Sequence, residues 1–130
     1  MMDVLSIKGT QETPEILLDK EQGIFEIKGK SLPEDVKEFY NPVLSWFEDY
    51  SQNPNQQTVL KVKMDYFNTA SSKMILEIFE SLQELFDKGN DVSIEWYYMA
   101  DDEDMEDAGQ DYSDLVKIPF KFISTQTVTD

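Results

Sequence analysis

The 130-residue sequence contains no cysteine and no histidine. The lack of cysteine excludes a disulfide framework and any thiol nucleophile. The lack of histidine removes the commonest general base and the commonest metal ligand, which excludes Ser-His-Asp triads, Cys-His pairs and zinc sites. Carboxylates are abundant, but no pattern marks a cleft in which a pair of them would act. We therefore expect a non-enzymatic protein without a metal or cofactor.

Basic residues are scarce, since 27 acidic residues stand against 11 basic ones and give a formal net charge of −16. This charge repels nucleic acids and anionic membranes. It accelerates association with a protein that carries a basic patch, although it also serves solubility alone. Long apolar runs are absent as well, and residues 1–9 lack the basic and apolar regions of a signal peptide. Residues 1–130 are thus expected to form one cytoplasmic domain.

The first third of the chain predicts a hairpin and a helix. Residues 13–20 and 23–29 alternate as two strands around a turn that contains Gly23. Ser31-Leu32-Pro33-Glu34 resembles a helix start, because serine is followed three residues later by glutamate, with proline between them. An amphipathic stripe then extends from Val36 to Tyr50, with Pro42 inside it.

The segment KVKMDYFNTASSK, residues 61–73, predicts a strand that continues directly into a helix. Alternation places four side chains on the core side of the strand: Leu60, Val62, Met64 and Tyr66. The period then becomes helical, with these residues on one stripe: Met74, Ile75, Ile78, Phe79, Leu82, Leu85 and Phe86. Lys88-Gly89-Asn90 is typical of a helix end.

The joint between this strand and helix carries Asn68, Thr69, Ser71 and Ser72. Such residues are preferred helix caps, so capping alone explains a cluster of this kind. Four of them within five positions exceed what one cap needs. A helix N-terminus also favours an anion, including a phosphate esterified to one of these hydroxyls.

The later part of the chain predicts two further strands, with an acidic segment between them. Val92, Ile94, Trp96 and Tyr98 alternate in the first, with Trp96 and Tyr98 towards the core, and the last contains Ile118, Phe120 and Phe122. A strand–helix–strand crossover between residues 58 and 98 predicts a parallel pair. Alternating strands further predict a mixed sheet with helices on one face and a polar opposite face, where Lys61 and Lys63 are expected to pair with Glu95 or Asp65.

Residues 100–114, ADDEDMEDAGQDYSD, are expected to form an acidic loop or short helix anchored by Met105 and Tyr112. A docking surface for a basic partner is the alternative. No glycine stands at the sixth position of a candidate calcium loop, so an EF-hand is not indicated.

The segment from Tyr66 to Lys73 resembles the central motif of the SiaC family of bacterial regulatory phosphoproteins, which are similar to STAS-domain anti-anti-sigma factors. Three further segments share this resemblance in order along the chain: Gly9-Thr10-Gln11-Glu12-Thr13-Pro14, Trp96-Tyr97-Tyr98 and Pro119-Phe120. The resemblance implies an α/β, STAS-like mixed sheet. It also implies phosphorylation of the threonine that follows the asparagine, here Thr69. Ala70 departs from the serine expected in related chains, and Ser71 and Ser72 stay as secondary acceptors.

The resemblance further implies a partner-switching protein. An anti-sigma-type Ser/Thr kinase would phosphorylate Thr69, a PP2C-like phosphatase would remove the phosphate, and the unmodified form would bind and activate a target such as a diguanylate cyclase. The residues expected to contact partners surround Thr69: Tyr66, Phe67, Asn68, Ser71, Ser72 and Lys73. A protein of a different functional class remains an alternative. It would be a STAS-like module that binds a nucleotide or other small ligand at the same helix start without phosphorylation.

Overall fold

A computed structural model describes residues 2–125. Six strands form one sheet in the order β1 to β6, and the first three pair antiparallel while β3 to β6 pair parallel. The strands are β1 Leu5–Ile7, β2 Glu15–Asp19, β3 Ile24–Ser31, β4 Gln57–Phe67, β5 Asp91–Met99 and β6 Phe120–Thr125. The helices are α1 Val36–Tyr50, α2 Thr69–Asp87 and α3 Glu103–Leu115. Each helix connects two neighbouring parallel strands.

The predicted α/β class, with a mixed sheet and helices on one face, is confirmed. Buried side chains alternate with more exposed ones along β2 to β5, so one sheet face contributes to the core. The helices cover that face with their apolar stripes. The hairpin of β2 and β3 and the parallel pair of β4 and β5 also agree with the sequence. At the end of α2, Gly89 has a φ of +96° and its N–H donates to the carbonyl of Phe86, as the Lys-Gly-Asn pattern predicts.

The predicted start of α1 at Ser31 is wrong. The cap is Asp35, whose carboxylate accepts from the N–H of Glu38 at 3.0 Å. Ser31 is instead the last residue of β3 and is fully buried. Both positions fit the sequence pattern of a cap, and the competing contacts of Ser31 come from elements distant in the chain.

Tyr66 lies on the opposite side of the sheet from its predicted position. The register between β3 and β4 pairs Gly29 with Met64 but Lys30 with Tyr66, so Asp65 is an extra residue. Such a bulge reverses the direction of every later side chain in its strand. Tyr66 is therefore 51% exposed, whereas Phe67 packs against the core.

The acidic segment forms a helix of 13 residues, α3, rather than a loop. Met105 and Tyr112 are buried and anchor it to the sheet, as the sequence predicts. Asp102 caps α3 by accepting from the N–H of Met105 at 3.0 Å. The sheet is thus covered by three helices instead of the two main ones expected.

None of the helices within residues 2–125 has the length and apolar character that crossing a bilayer requires.

Candidate functional site at the start of α2

Thr69 is the first residue of α2, and its side chain is exposed. Asn68 caps the helix, since its side-chain carbonyl accepts from the N–H of Ser71 at 2.8 Å. The N–H of Asn68 donates to the carbonyl of Ser31 at the end of β3. The hydroxyl of Thr69 therefore projects from a backbone that is fixed at both the strand and the helix.

Three buried hydroxyl groups lie beneath this turn. Ser31 Oγ is 2.6 Å from the hydroxyl of Tyr40 on α1 and donates to Ser71 Oγ at 2.7 Å. Ser71 Oγ in turn donates to the carbonyl of Ser31 at 3.0 Å. Burial raises the pKa of Tyr40 to about 12, and its hydrogen bond with Ser31 offsets part of that shift. The network joins β3, α1 and α2 under the exposed threonine.

Ser71 is predicted to contact partners and to serve as a secondary phosphoacceptor, but its side chain is 0% exposed. Its hydroxyl accepts one hydrogen bond and donates another, and both partners lie inside the protein. In this structure its hydroxyl is accessible to neither a kinase nor a binding partner, so we assign Ser71 to the support of the turn.

Helix α3 holds the same turn from its other side. The hydroxyl of Tyr112 donates to the carbonyl of Ser72 at 2.8 Å, and Ser72 Oγ donates to the carbonyl of Thr69 at 2.7 Å. Burial raises the pKa of Tyr112 far above that of a free tyrosine, because ionisation would place a charge in the core. The neutral hydroxyl thus remains a donor across the physiological range.

The other predicted contact residues near Thr69 in the chain differ in their exposure. Tyr66 and Lys73 are exposed, and Asn68 and Ser72 are half-buried. Phe67 is also half-buried and packs edge-on against Trp96, with ring centroids 6.3 Å apart. The structure therefore leaves Tyr66, Thr69 and Lys73 exposed, keeps Phe67, Asn68 and Ser72 half-buried, and buries Ser71.

Sequence reasoning missed the supporting residues Ser31, Tyr40 and Tyr112 as parts of this site. One signal for Ser31 was present, because it continues the inward alternation of Phe25 and Ile27. A serine at a core position needs a hydrogen-bond partner. The sequence does not say which distant residue supplies it.

The positive end of α2 is the main electrostatic feature of the surface. Within residues 2–125, the backbone N–H groups of Thr69 and Ala70 have no hydrogen-bond partner. Free N–H groups at a helix start favour a negative group. The ammonium of Lys73 stands one turn along the same helix.

The chain matches the family model for the SiaC family regulatory phosphoprotein over residues 7–125. An uncharacterised protein of Pseudomonas aeruginosa (strain UCBPP-PA14) is 30% identical over 119 residues, which span 92% of this chain and 94% of that protein. The solved structure of SiaC of Pseudomonas aeruginosa superposes with a TM-score of 0.85 at 29% identity and covers 95% of this chain and 100% of that chain. A chain in the crystal structure of the diguanylate cyclase SiaD in complex with its activator SiaC, from the same species, gives a TM-score of 0.88 at 29% identity. That match covers 93% of this chain and 99% of the other.

Proposed function

Since the chain belongs to the SiaC family of regulatory phosphoproteins, we propose that it is a non-enzymatic, cytoplasmic partner-switching protein controlled by reversible phosphorylation of Thr69. An anti-sigma-type Ser/Thr kinase adds the phosphate and a PP2C-like phosphatase removes it. The unmodified form binds and activates a downstream diguanylate cyclase. Support for this target comes from SiaC of Pseudomonas aeruginosa, which is described as the activator in its complex with the cyclase SiaD.

The observation that carries the proposal is the exposed hydroxyl of Thr69 on an anchored turn. The hydroxyls of Ser31, Ser71 and Tyr112 support the turn through buried or partly buried hydrogen bonds, and none of these bonds uses the Thr69 hydroxyl. A kinase can therefore reach this group without opening the core. The fold supplies free N–H groups to receive the product.

The phosphate would act by changing the surface rather than by unfolding the protein. It adds about −1.5 to −2 charges at pH 7. A target that packs against Thr69 would have to remove water from this dianion, which is costly unless the target pairs it. A loss of about 3–4 kcal/mol would weaken binding by roughly two to three orders of magnitude.

Phosphotransfer tests the acceptor residue. Incubation with the cognate kinase and ATP should add a single phosphate, and Thr69→Ala should abolish it. The matched control is Ser72→Ala, which removes a neighbouring hydroxyl of the same turn and should leave phosphorylation intact. Intact mass and peptide mapping supply the measurement. Full modification of the Thr69→Ala protein would refute the assignment.

Calorimetry with the cyclase tests the direction of the switch. The unmodified protein and Thr69→Ala should bind with similar affinity, because alanine removes only a hydroxyl. The enzymatically phosphorylated protein should bind far more weakly. Equal affinity of the unmodified and phosphorylated forms would contradict the switch, and tighter binding by the phosphorylated form would reverse its sign while keeping Thr69 as the acceptor.

A further inference from the structure

A groove of about 880 Å³ lies between the turn that follows β1 and the start of α1. Three half-buried residues form its floor: Ile7, Pro33 and Phe39. The ring of Phe39 packs edge-on against that of the buried Tyr40, with ring centroids 4.9 Å apart. The floor is therefore apolar and anchored to the core, so it suits an apolar side chain that a partner protein inserts.

One wall of the groove is a turn whose backbone is fixed by hydrogen bonds. The hydroxyl of Thr10 accepts from the N–H groups of Glu12 and Thr13, at 3.1 Å and 2.9 Å. The carbonyl of Glu12 accepts from the N–H of Leu32 at 2.6 Å, which attaches the turn to the segment between β3 and α1. A partner would therefore meet a wall that is already formed, and little ordering of this chain would oppose binding.

The rim of the groove carries charge of one sign. Four exposed carboxylates line it, and no basic residue is part of the lining: Glu12, Glu34, Asp35 and Glu38. Lys8 and Lys37 are close in the chain, but neither lines the groove. Within the described residues, no lysine ammonium lies within 4 Å of any of the four carboxylates. The rim therefore favours a partner segment that is positively charged.

The groove and Thr69 lie at the same edge of the sheet. Strands β1 and β3 are both antiparallel to β2 and end at one edge, and β4 ends there too because it is parallel to β3. Ile7 is the last residue of β1. Pro33 follows Ser31 by two residues, and the carbonyl of Ser31 accepts from the N–H of Asn68. Two residues span at most about 7 Å, so a protein that covers Thr69 also reaches the groove.

We propose that this groove docks the kinase that phosphorylates Thr69, through a segment of the kinase that presents an apolar side chain between basic ones; the inference rests on the proposed function. The apolar side chain contacts the floor, and the basic groups pair with the carboxylates of the rim. A kinase is favoured as the occupant because it brings a nucleoside triphosphate to a protein of net charge −16. Its surface around the nucleotide must be positive to overcome that repulsion.

The groove acts on binding and leaves the chemical step alone. No residue of the Thr69 turn lines it, so its contacts do not involve the hydroxyl that reacts. Contacts that are equally strong before and during the transfer of the phosphate lower KM without raising kcat. A weakened groove should therefore raise the KM for this chain and leave kcat unchanged, which a general disturbance of the Thr69 turn would not do.

Steady-state phosphotransfer with the cognate kinase, ATP and the full chain tests the proposal. The double variant Glu34→Gln/Glu38→Gln removes two charges of the rim and should raise KM about fivefold, because exposed ion pairs each contribute modestly. The matched control is Glu80→Gln/Glu84→Gln, which removes two exposed charges at the same spacing from the second half of α2 and should change neither constant. The KM of the wild type should also rise more steeply with salt than that of the groove variant.

Three results would overturn the docking proposal while Thr69 is still phosphorylated, so the proposed function would stand. The first is an unchanged KM in the groove variant, and the second is an equal rise in the control, which would indicate a diffuse charge effect. The third is an unchanged KM with weaker binding to the cyclase in calorimetry, which would assign the groove to the downstream target. Absence of phosphotransfer to Thr69 in the wild type would refute both proposals. Melting curves confirm that the compared variants are folded.

Discussion

Asn68 and Thr69 are adjacent, yet the structure gives them opposite tasks. The side chain of Asn68 faces the helix and accepts from the N–H of Ser71, whereas that of Thr69 is exposed. A single turn therefore separates a group that maintains the fold from a group available for modification. Substitutions at Asn68 and at Thr69 should therefore affect the stability of the protein in different ways.

Asn68→Ala should destabilise the protein by about 1 kcal/mol, because the N–H of Ser71 loses its acceptor. Asn68→Asp retains a side-chain oxygen at the cap and should remain within a few tenths of a kcal/mol of the wild type. The free energy of unfolding in urea provides the measurement. An alanine variant as stable as the aspartate variant would show that the cap contributes nothing.

Thr69→Asp should fold normally and gain about 0.3–1 kcal/mol, because a negative group near the start of α2 interacts favourably with the helix dipole. Its effect should shrink at high salt, where the interaction is screened. Thermal unfolding at two salt concentrations measures the gain in stability and its dependence on salt. A melting temperature many degrees below that of the wild type would indicate that position 69 does not tolerate charge.

Residue-scale prediction from the sequence succeeded where the signal was local. The cap of α2 lies among the candidates proposed from sequence, and the anchors of α3 were identified by their apolar character. Ser31 was misread because its burial depends on Tyr40 and Ser71, and the latter is 40 residues away. No local pattern contains that information.

At the scale of elements, α3 shows how an acidic sequence can form a packed helix. Its exposed positions carry the carboxylates, and its inner positions carry Met105, Gly109 and Tyr112. Gly109 allows the helix to approach the sheet closely, because a Cβ at this position would lie 2.6 Å from the ring of Trp96. The indole N–H of Trp96 donates to the carbonyl of Met105 across the same contact.

Gly109→Ala should destabilise the protein by about 1–3 kcal/mol through overpacking against Trp96. The sign of the stability change is informative, because a glycine-to-alanine substitution in an exposed helix interior stabilises a protein by up to about 1 kcal/mol. Gln110→Ala, on the exposed side of α3, is the control and should be neutral. Urea unfolding compares the two, and a more stable Gly109→Ala protein would show that α3 does not pack as described.

The same element illustrates the limit of prediction from charge. Eight acidic residues within positions 100–114 suggested a solvated loop or short helix. The helix is 13 residues long because three inner positions, spaced one turn apart, bind it to the sheet. The bulge in β4 limits prediction in another way. One extra residue reversed the direction of Tyr66, although the alternation of the preceding residues in the strand was predicted correctly.

At the scale of the whole molecule, buried tyrosines couple stability to alkaline pH. The pKa of Tyr40 is raised to about 12, whereas an unfolded tyrosine titrates near 10. Between these values the unfolded chain has released a proton that the folded chain retains. The free energy of unfolding must therefore fall as the pH rises from about 10 to about 12.

Tyr40→Phe should reduce this fall by the equivalent of about one proton, although its stability at pH 8 should also be lower because Ser31 loses a partner. Tyr66→Phe, at the exposed end of β4, is the control and should retain the steep fall. Urea midpoints measured at several pH values between 8 and 11.5 give the slopes. Identical slopes for Tyr40→Phe and the wild type would exclude Tyr40 as the source.

The order of the strands has a consequence for synthesis. Each strand lies beside the one that precedes it in the chain, so every strand leaving the ribosome meets a neighbour that has already been made. The turn with Thr69 follows β4 and is complete only when Tyr112 emerges, 40 residues after Ser72. A nascent chain thus exposes Thr69 before the second anchor of the turn exists, and the turn reaches its finished geometry only after Tyr112 has been made.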